Sequence, residues 1–468
     1  MKISQAPLAL PLVLLLLLNA AFAYSSTLPA SVRTDIQTYN VKTDGQYVVY
    51  TVYEGHVGRD LNGDGDRWDQ LLTFFDATTG VETISSVVSS NSGEILVNSG
   101  TAILRVYEYQ NGVDYNGNGN LYDTVMVSFD LETQQVTYLP VQLLYGPFYE
   151  IFGDLDGDNF AYIDTQRNVR VYNLSSGTDI TVGTSSYYQV KIDGNNLLYT
   201  ISEWQTGTDI NGDGDTWDSF WQVHNLSSGH TTIFSEGYVN NAIISGNYVL
   251  LQVPEAGTDI NGNGYPYDLL PFLYNMNTGT RTLIPNMDGY QLDIEGNLIS
   301  GRSSEYYFGD LNGDGDTRDT FIAFYDIAND QYHLTDHYIY GRNDLGSMLF
   351  TFLTSEYRDN VDYNGDGDKW DAFLTYYDVA ELVGTNGSVS LGELPDVVRA
   401  MDIPHGNMNA LLATIEGALR DMEKGKTKAA LNKLEATLNK VEAQRGKKIS
   451  EYEADELIMI IGEIMSDL

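Results

Sequence analysis

The sequence predicts an all-β fold, a seven-bladed β-propeller, with a small α-helical bundle at its C-terminal end. Three observations predict it. An acidic ten-residue string recurs six times at near-constant spacing. Short runs rich in Val, Ile, Tyr and Phe flank each copy, and apolar residues at three- and four-residue spacing begin only after the last one.

The string reads Asp60-Leu-Asn-Gly-Asp-Gly-Asp-Arg-Trp-Asp69 and returns at Asp114–Asp123, Asp209–Asp218, Asp259–Asp268, Asp310–Asp319 and Asp362–Asp371. Its starts are separated by 54, 95, 50, 51 and 52 residues, so the step of 95 is a double step and one unit lacks its loop. That unit is found at Phe160-Ala-Tyr-Ile-Asp164 and Val169-Arg-Val-Tyr-Asn173, joined by the short turn Thr165–Asn168. Seven units of about 50 residues then fill residues 34–386. Each holds four short β-rich runs separated by Gly, Asn and Asp turns, as propeller blades do. A β-solenoid or a row of β-sandwich domains shares this repeat length, and a single sequence does not display closure. The string Asp154-Leu-Asp-Gly-Asp158 falls where other units carry their first turn and reads as a polar hairpin.

Within the loops, position 1 is always Asp, 3 always Asn, 4 and 6 always Gly, 5 Asp or Asn, and 10 always Asp. Oxygen-bearing side chains at alternate positions converge when Gly permits a sharp turn, which is how EF-hand loops wrap a hard cation. The candidate ligands are Asp60, Asn62, Asp64, Asp66 and Asp69; Asp114, Asn116, Asn118, Asn120 and Asp123; Asp209, Asn211, Asp213, Asp215 and Asp218; Asp259, Asn261, Asn263, Tyr265 and Asp268; Asp310, Asn312, Asp314, Asp316 and Asp319; Asp362, Asn364, Asp366, Asp368 and Asp371. Position 7, where Tyr265 stands among Asp and Asn, is expected to act through its main-chain carbonyl, leaving its side chain free to vary. Position 12, which holds the bidentate Glu of an EF-hand, is apolar here, so Asp at position 10 supplies the closing carboxylate. Glu54, Glu108, Glu203 and Glu356 lie six residues upstream of four loops and are candidates for a further carboxylate, with Glu255 and Glu305 nearer to the other two. All-oxygen, flexible ligand sets favour Ca2+ over zinc, copper or magnesium, at about six structural sites.

These loops resemble the Asp-x-Asp-x-Asp-Gly calcium loops inserted between strands of integrin-type propellers, and the loops of dockerins and thrombospondins. The last Asp stands one position later than in the integrin pattern. The resemblance implies calcium binding that stabilises the fold.

At the N-terminus, Met1–Ala23 pairs Lys2 with an apolar stretch around Leu14–Leu18 and ends in Ala21-Phe22-Ala23, the layout of a signal peptide cleaved before Tyr24. A membrane anchor is the alternative, against which stand the shortness of the run and the polar Asn19. The chain is therefore expected to be secreted, extracellular or at the cell surface, with no transmembrane segment after cleavage. It contains no Cys, so no disulfide can brace it.

Residues 387–396 read as a linker, and residues 397–468 as the helical domain, with helices over 407–424, 427–445 and 450–468 and a short one near Val397. Ser450 and Glu453 form a capping box. The stretch Leu431-Asn-Lys-Leu-Glu-Ala, then Val441-Glu-Ala-Gln-Arg-Gly-Lys-Lys-Ile-Ser450, Ala454 and Leu457-Ile resembles the FIMAH type of helical module at the ends of exported bacterial and archaeal proteins. That resemblance supports export rather than any activity.

The chain has 65 acidic and 25 basic residues, net −40, and residues 24–394 hold 52 acidic against 14 basic. Such a surface repels phosphate backbones and excludes nucleic acid as a partner. No catalytic residue is assigned: the six histidines form no zincin motif, and neither a Gly-x-Ser-x-Gly elbow nor a Cys nucleophile is present. His333 and His337 read as surface polar residues. The expected function is non-catalytic binding, adhesion or extracellular scaffolding. The partner is an extracellular protein or glycan, or further copies of the chain. A calcium-dependent secreted hydrolase, phytase-like or polysaccharide-active, is the alternative. Asn173, Asn225 and Asn386 begin sequons and are candidate glycosylation sites, the first two on turns opposite the loops.

Overall fold

The computed structural model describes residues 32–33, 41–90, 95–144, 153–187, 189–234, 239–313, 315–338, 340–346, 349–356, 372–379 and, with gaps, 391–465, together with Asp362, Gly367 and Lys369 of the last loop. The signal-peptide assignment (1–23), Asp314, Asn364, Asp366, Asp368, Asp371, Asn386 and the capping box fall outside the described residues.

Seven four-stranded antiparallel sheets form a ring, and the chain is a seven-bladed β-propeller. Blade one is built from Val41–Thr43, Tyr47–Tyr53, Gln70–Asp76 and Val81–Val88, taken in order from the centre outward. Five further blades repeat that order, the last of them ending at Tyr338. In blade seven, Tyr340–Leu345, Leu349–Ser355 and Ala372–Asp378 supply three strands, and Val32–Arg33 from the other end of the chain pairs as the fourth, with Val32 opposite Tyr376. The ring thus begins two residues before residue 34 and is fastened by its own N-terminal segment.

The central strands are apolar on both faces because each sheet is sandwiched between two others. In Tyr47–Tyr53, five consecutive residues are buried. One side packs Val49 with Leu104, Val127 and Phe129 of blade two, and the other packs Val48, Tyr50 and Val52 with Leu349 and Leu374 of blade seven. Five equivalent clusters fill the remaining junctions. A cluster between first and last blades is what closes the ring, which a solenoid or a row of sandwiches lacks. At that seam Asp344 accepts the Thr43 N–H at 2.8 Å and the Lys42 ammonium at 2.5 Å.

Blade three, the unit without an acidic loop, joins Asn159–Ile163 to Asn168–Asn173 by a tight turn. There Asp164 accepts the N–H groups of Gln166 and Asn168. Asp154–Asp158 lies on the first hairpin of the same blade, with Asp156 opposite Asn159.

The C-terminal part is helical, with Leu394–Ala400, His405–Met422 and Thr427–Gln444, and further helical residues between Ala454 and Met465. It has its own core, in which Leu394, Val398, Leu411, Ile415, Leu434, Val441, Leu457 and Ile461 pack together. The first of these helices starts before residue 397. Pro395 is tolerated there because the first turn of a helix does not use its missing N–H.

Candidate metal-binding loops

The six acidic loops all join the second strand of a blade to the third, so the propeller topology places them at one end of the ring. The turns carrying Asn173 and Asn225 join third to fourth strands at the opposite end. Their amide nitrogens donate to Asn159 at 3.1 Å and to Asn196 at 2.9 Å.

In the blades where the loop is described, it curls through a chain of side-chain acceptors. Asp60 takes the N–H of Gly63 on one oxygen, at 2.6 Å, and that of Gly65 on the other, at 3.0 Å. Asn62 then accepts from Asp64, Asp64 from Asp66, and Asp66 from Trp68. The same pattern holds around Asp209 and, in most of its bonds, around Asp114, Asp259 and Asp310. Asp362 accepts from Gly367. Gly63 and Gly65, with φ of 81° and 103°, sit where side chains are strained, which explains the fixed glycines at positions 4 and 6.

A glutamate stands beside each loop. Glu54, Glu108, Glu203, Glu255, Glu305 and Glu356 stand at the end of the second strand and are all buried. In five of them Oε1 accepts the N–H groups of loop positions 2 and 3, as Glu108 does from Tyr115 at 2.8 Å and Asn116 at 3.2 Å. The other oxygen of Glu54, Glu203 and Glu305 accepts the N–H of the position-10 Asp, at 3.4, 3.3 and 3.2 Å. Oε2 of Glu108 and of Glu255 is buried and has no hydrogen-bond partner among the described residues. Glu255 and Glu305 thus fill the same place as the four glutamates at six-residue spacing. Their spacing differs because the loop entry is one or two residues shorter.

Among the described residues, three groups bring carboxylate oxygens within 4.8 Å of one another and could hold a metal ion: Glu54, Asp66 and Asp69; Glu203, Asp215 and Asp218; Glu305, Asp316 and Asp319. Here the position-7 side chain is part of the cluster, in addition to the main-chain carbonyl expected from the sequence. At position 1, Asp60 and Asp209 turn both oxygens to loop N–H groups, whereas at position 5 Asp64 and Asp213 put one oxygen on a loop N–H and also lie beside the carboxyls of Asp69 and Asp218. In the loop of Asp114–Asp123, Asp123 accepts the amide of Asn116 at 3.0 Å. In the loop of Asp259–Asp268, Tyr265 turns to the rings of Tyr306 and Tyr307, with centroids 4.8 and 5.7 Å away.

The charge crowding shows in the titration of the cluster. Burial, reinforced by the charges of Asp64 and Asp66, pushes the Asp69 carboxyl up to about 6. Asp218 is also raised, first by burial and then by Asp213 and Asp215. Asp123, which faces amides in place of carboxylates, is lowered by the hydrogen bonds of Asn116 and Asn118.

His333 is half-buried, contrary to its reading as a surface residue, because it sits within a blade strand opposite Phe324. Burial lowers its pKa. Among the described residues, no helix is long and apolar enough to cross a membrane.

No protein-family model matches the chain, and no curated protein matches it. Similar solved structures include the β-propeller domain of the trilobed protease from Pyrococcus furiosus, reported as an open velcro topology. It is 10% identical over 69% of this chain and 91% of that one, with a TM-score of 0.43. A chain of the mitotic checkpoint complex is 8% identical, covering 81% and 97%, at a TM-score of 0.41. The computationally designed protein Ika8 is 10% identical, covering 74% and 97%, at 0.36.

Proposed function

We propose that this chain is a secreted, calcium-stabilised β-propeller that acts as a non-catalytic binding, adhesion or scaffold protein outside the cell. The observation that carries the reading is the buried glutamate beside each acidic loop. An ionised carboxylate taken out of water costs several kcal/mol unless it is paired or well hydrogen-bonded. Glu108 and Glu255 each bury an oxygen without a partner among the described residues, and Glu54, Glu203 and Glu305 gather two aspartates around them. A divalent cation held by oxygen donors satisfies both arrangements at once.

Calcium fits the donor set better than softer metals, since the loops offer only carboxylates, amides, carbonyls and water. The ligands we assign are the side chains at loop positions 1, 3, 5, 7 and 10 and the adjoining glutamate, with the carbonyl in place of the side chain at Tyr265. A stabilising metal also suits a chain with no cysteine to form a disulfide.

The test is metal analysis of the purified full-length chain together with its melting temperature in calcium and after exhaustive chelation. A calcium-dependent melting temperature supports the reading. Phytate or polysaccharide hydrolysis that vanishes on chelation would move it to the hydrolase alternative. An N-terminal residue of Tyr24 on protein recovered from culture medium tests export.

A further inference from the structure

The two ends of the ring differ in one property besides metal ligands. Ten tyrosines and tryptophans are exposed among the described residues, and all ten lie at the end that carries the acidic loops. They stand in the loops, beside the buried glutamates, or where the chain enters a blade's first strand. None is on the first-to-second or third-to-fourth strand turns of the opposite end. Position 9 shows the regularity best: Trp68, Tyr122, Trp217 and Tyr267 are between 71% and 79% exposed. Core packing does not explain rings held this far out in four separate blades.

The surroundings of these rings are anionic. With its glutamate, each loop carries three to five carboxylates, so one divalent ion leaves it net negative. From the glutamate to position 10, the loops of blades two, four and five (108–123, 203–218 and 255–268) contain no Lys or Arg. Aromatic faces interleaved with carboxylates attract ammonium and guanidinium groups through cation–π and Coulomb terms together. Nothing there supplies a cation from the same loops.

From this geometry and charge we infer that the loop-bearing end is a docking surface for a cationic polypeptide segment, with Tyr122, Trp204, Trp217 and Tyr267 as its aromatic anchors. The inference rests on the proposed binding role and deepens it by naming the partner's chemistry. Complementary charge sets the encounter, and the rings give the surface its selectivity for Lys and Arg over simple counterions.

The experiment titrates a Lys/Arg-rich peptide into the calcium-loaded full-length chain, comparing the native protein with the Y122A/W204A/W217A/Y267A variant. Net charge is the same in both. Native protein is expected to bind with an affinity that falls as salt rises, and the variant at least tenfold more weakly with an unchanged calcium-dependent melting temperature. Equal affinities would overturn the inference, since binding would then follow net charge alone. Salt-independent binding of a neutral oligosaccharide, lost in the same variant and stronger than peptide binding, would also overturn it and assign the face to glycan. Failure of the calcium reading shows separately, as a melting temperature indifferent to chelation.

Discussion

Glu54 and Asp69 stand at the two ends of the first loop and are tied to each other twice. The Glu54 N–H donates to the Asp69 carbonyl at 3.0 Å, and the Asp69 N–H donates to Glu54 Oε2 at 3.4 Å. The pair continues the strand ladder by one step beyond Tyr53 and Gln70, and so brings two carboxylates that repel each other to the base of an anionic loop. Glu203 with Asp218 and Glu305 with Asp319 repeat it.

Replacing one of these glutamates should therefore affect metal affinity more than folding in calcium. Glu203→Gln keeps an oxygen for the N–H groups of Ile210 and Asn211 and removes one charge. The expected result is a single site weakened by about tenfold, about 1.4 kcal/mol, in calorimetric calcium titration. Unaltered binding at every site would show that the glutamate only closes the loop.

The loops should differ among themselves. Asn118 and Asn120 replace two carboxylates in the loop of blade two, and affinity in such loops follows ligand charge. Asn118→Asp is expected to tighten calcium binding there and to raise the melting temperature at sub-millimolar calcium. A fall in both would contradict the assignment of position 5 as a ligand.

Blade number, the loopless blade and the loop positions were legible in the sequence because each repeat buries the same strand pattern and its glycines must adopt positive φ. The equivalence of Glu255 and Glu305 to the other glutamates was obscured by shortened loop entries. Spatial closure brings Val32 to Tyr376, and no local pattern encodes a strand borrowed across the whole ring. The part played by Asp66 in its cluster follows from how the loop folds back toward Glu54, which residue type and spacing alone leave undetermined. The aromatic asymmetry was written at position 9 of every loop except that of Arg318, and it gained meaning only when the loops were placed at one end.

Ring closure should be sensitive at the seam. Asp344→Ala removes the acceptor of the buried Thr43 N–H, and leaving such a group unsatisfied costs about 1–3 kcal/mol. Chemical denaturation at saturating calcium should give a loss of that order, and no loss would argue against the seam contact.

A different pH dependence is expected from Glu295, which ends the first strand of blade six. Burial, then the charges of Asp193, Asp293, Asp156 and Asp344, raises its carboxyl well above the ordinary value of 4.5. The folded state therefore holds a proton that the unfolded chain has released, and stability falls as pH rises from about 4.5 through the raised value. Glu295→Gln should abolish that fall and melt higher than the native protein at pH 7 while matching it near pH 4. A lower melting temperature at pH 7 would show the carboxylate to be stabilising.

Calcium dependence of the fold is the central claim, and thermal unfolding of the full-length chain tests it most directly. A site binding at about 0.1 mM contributes about 1.4 kcal/mol at about 1 mM calcium, and several such sites together rival the whole net stability of a typical domain. The account predicts a large drop in melting temperature on exhaustive chelation, restored by calcium. An unchanged melting temperature would contradict it.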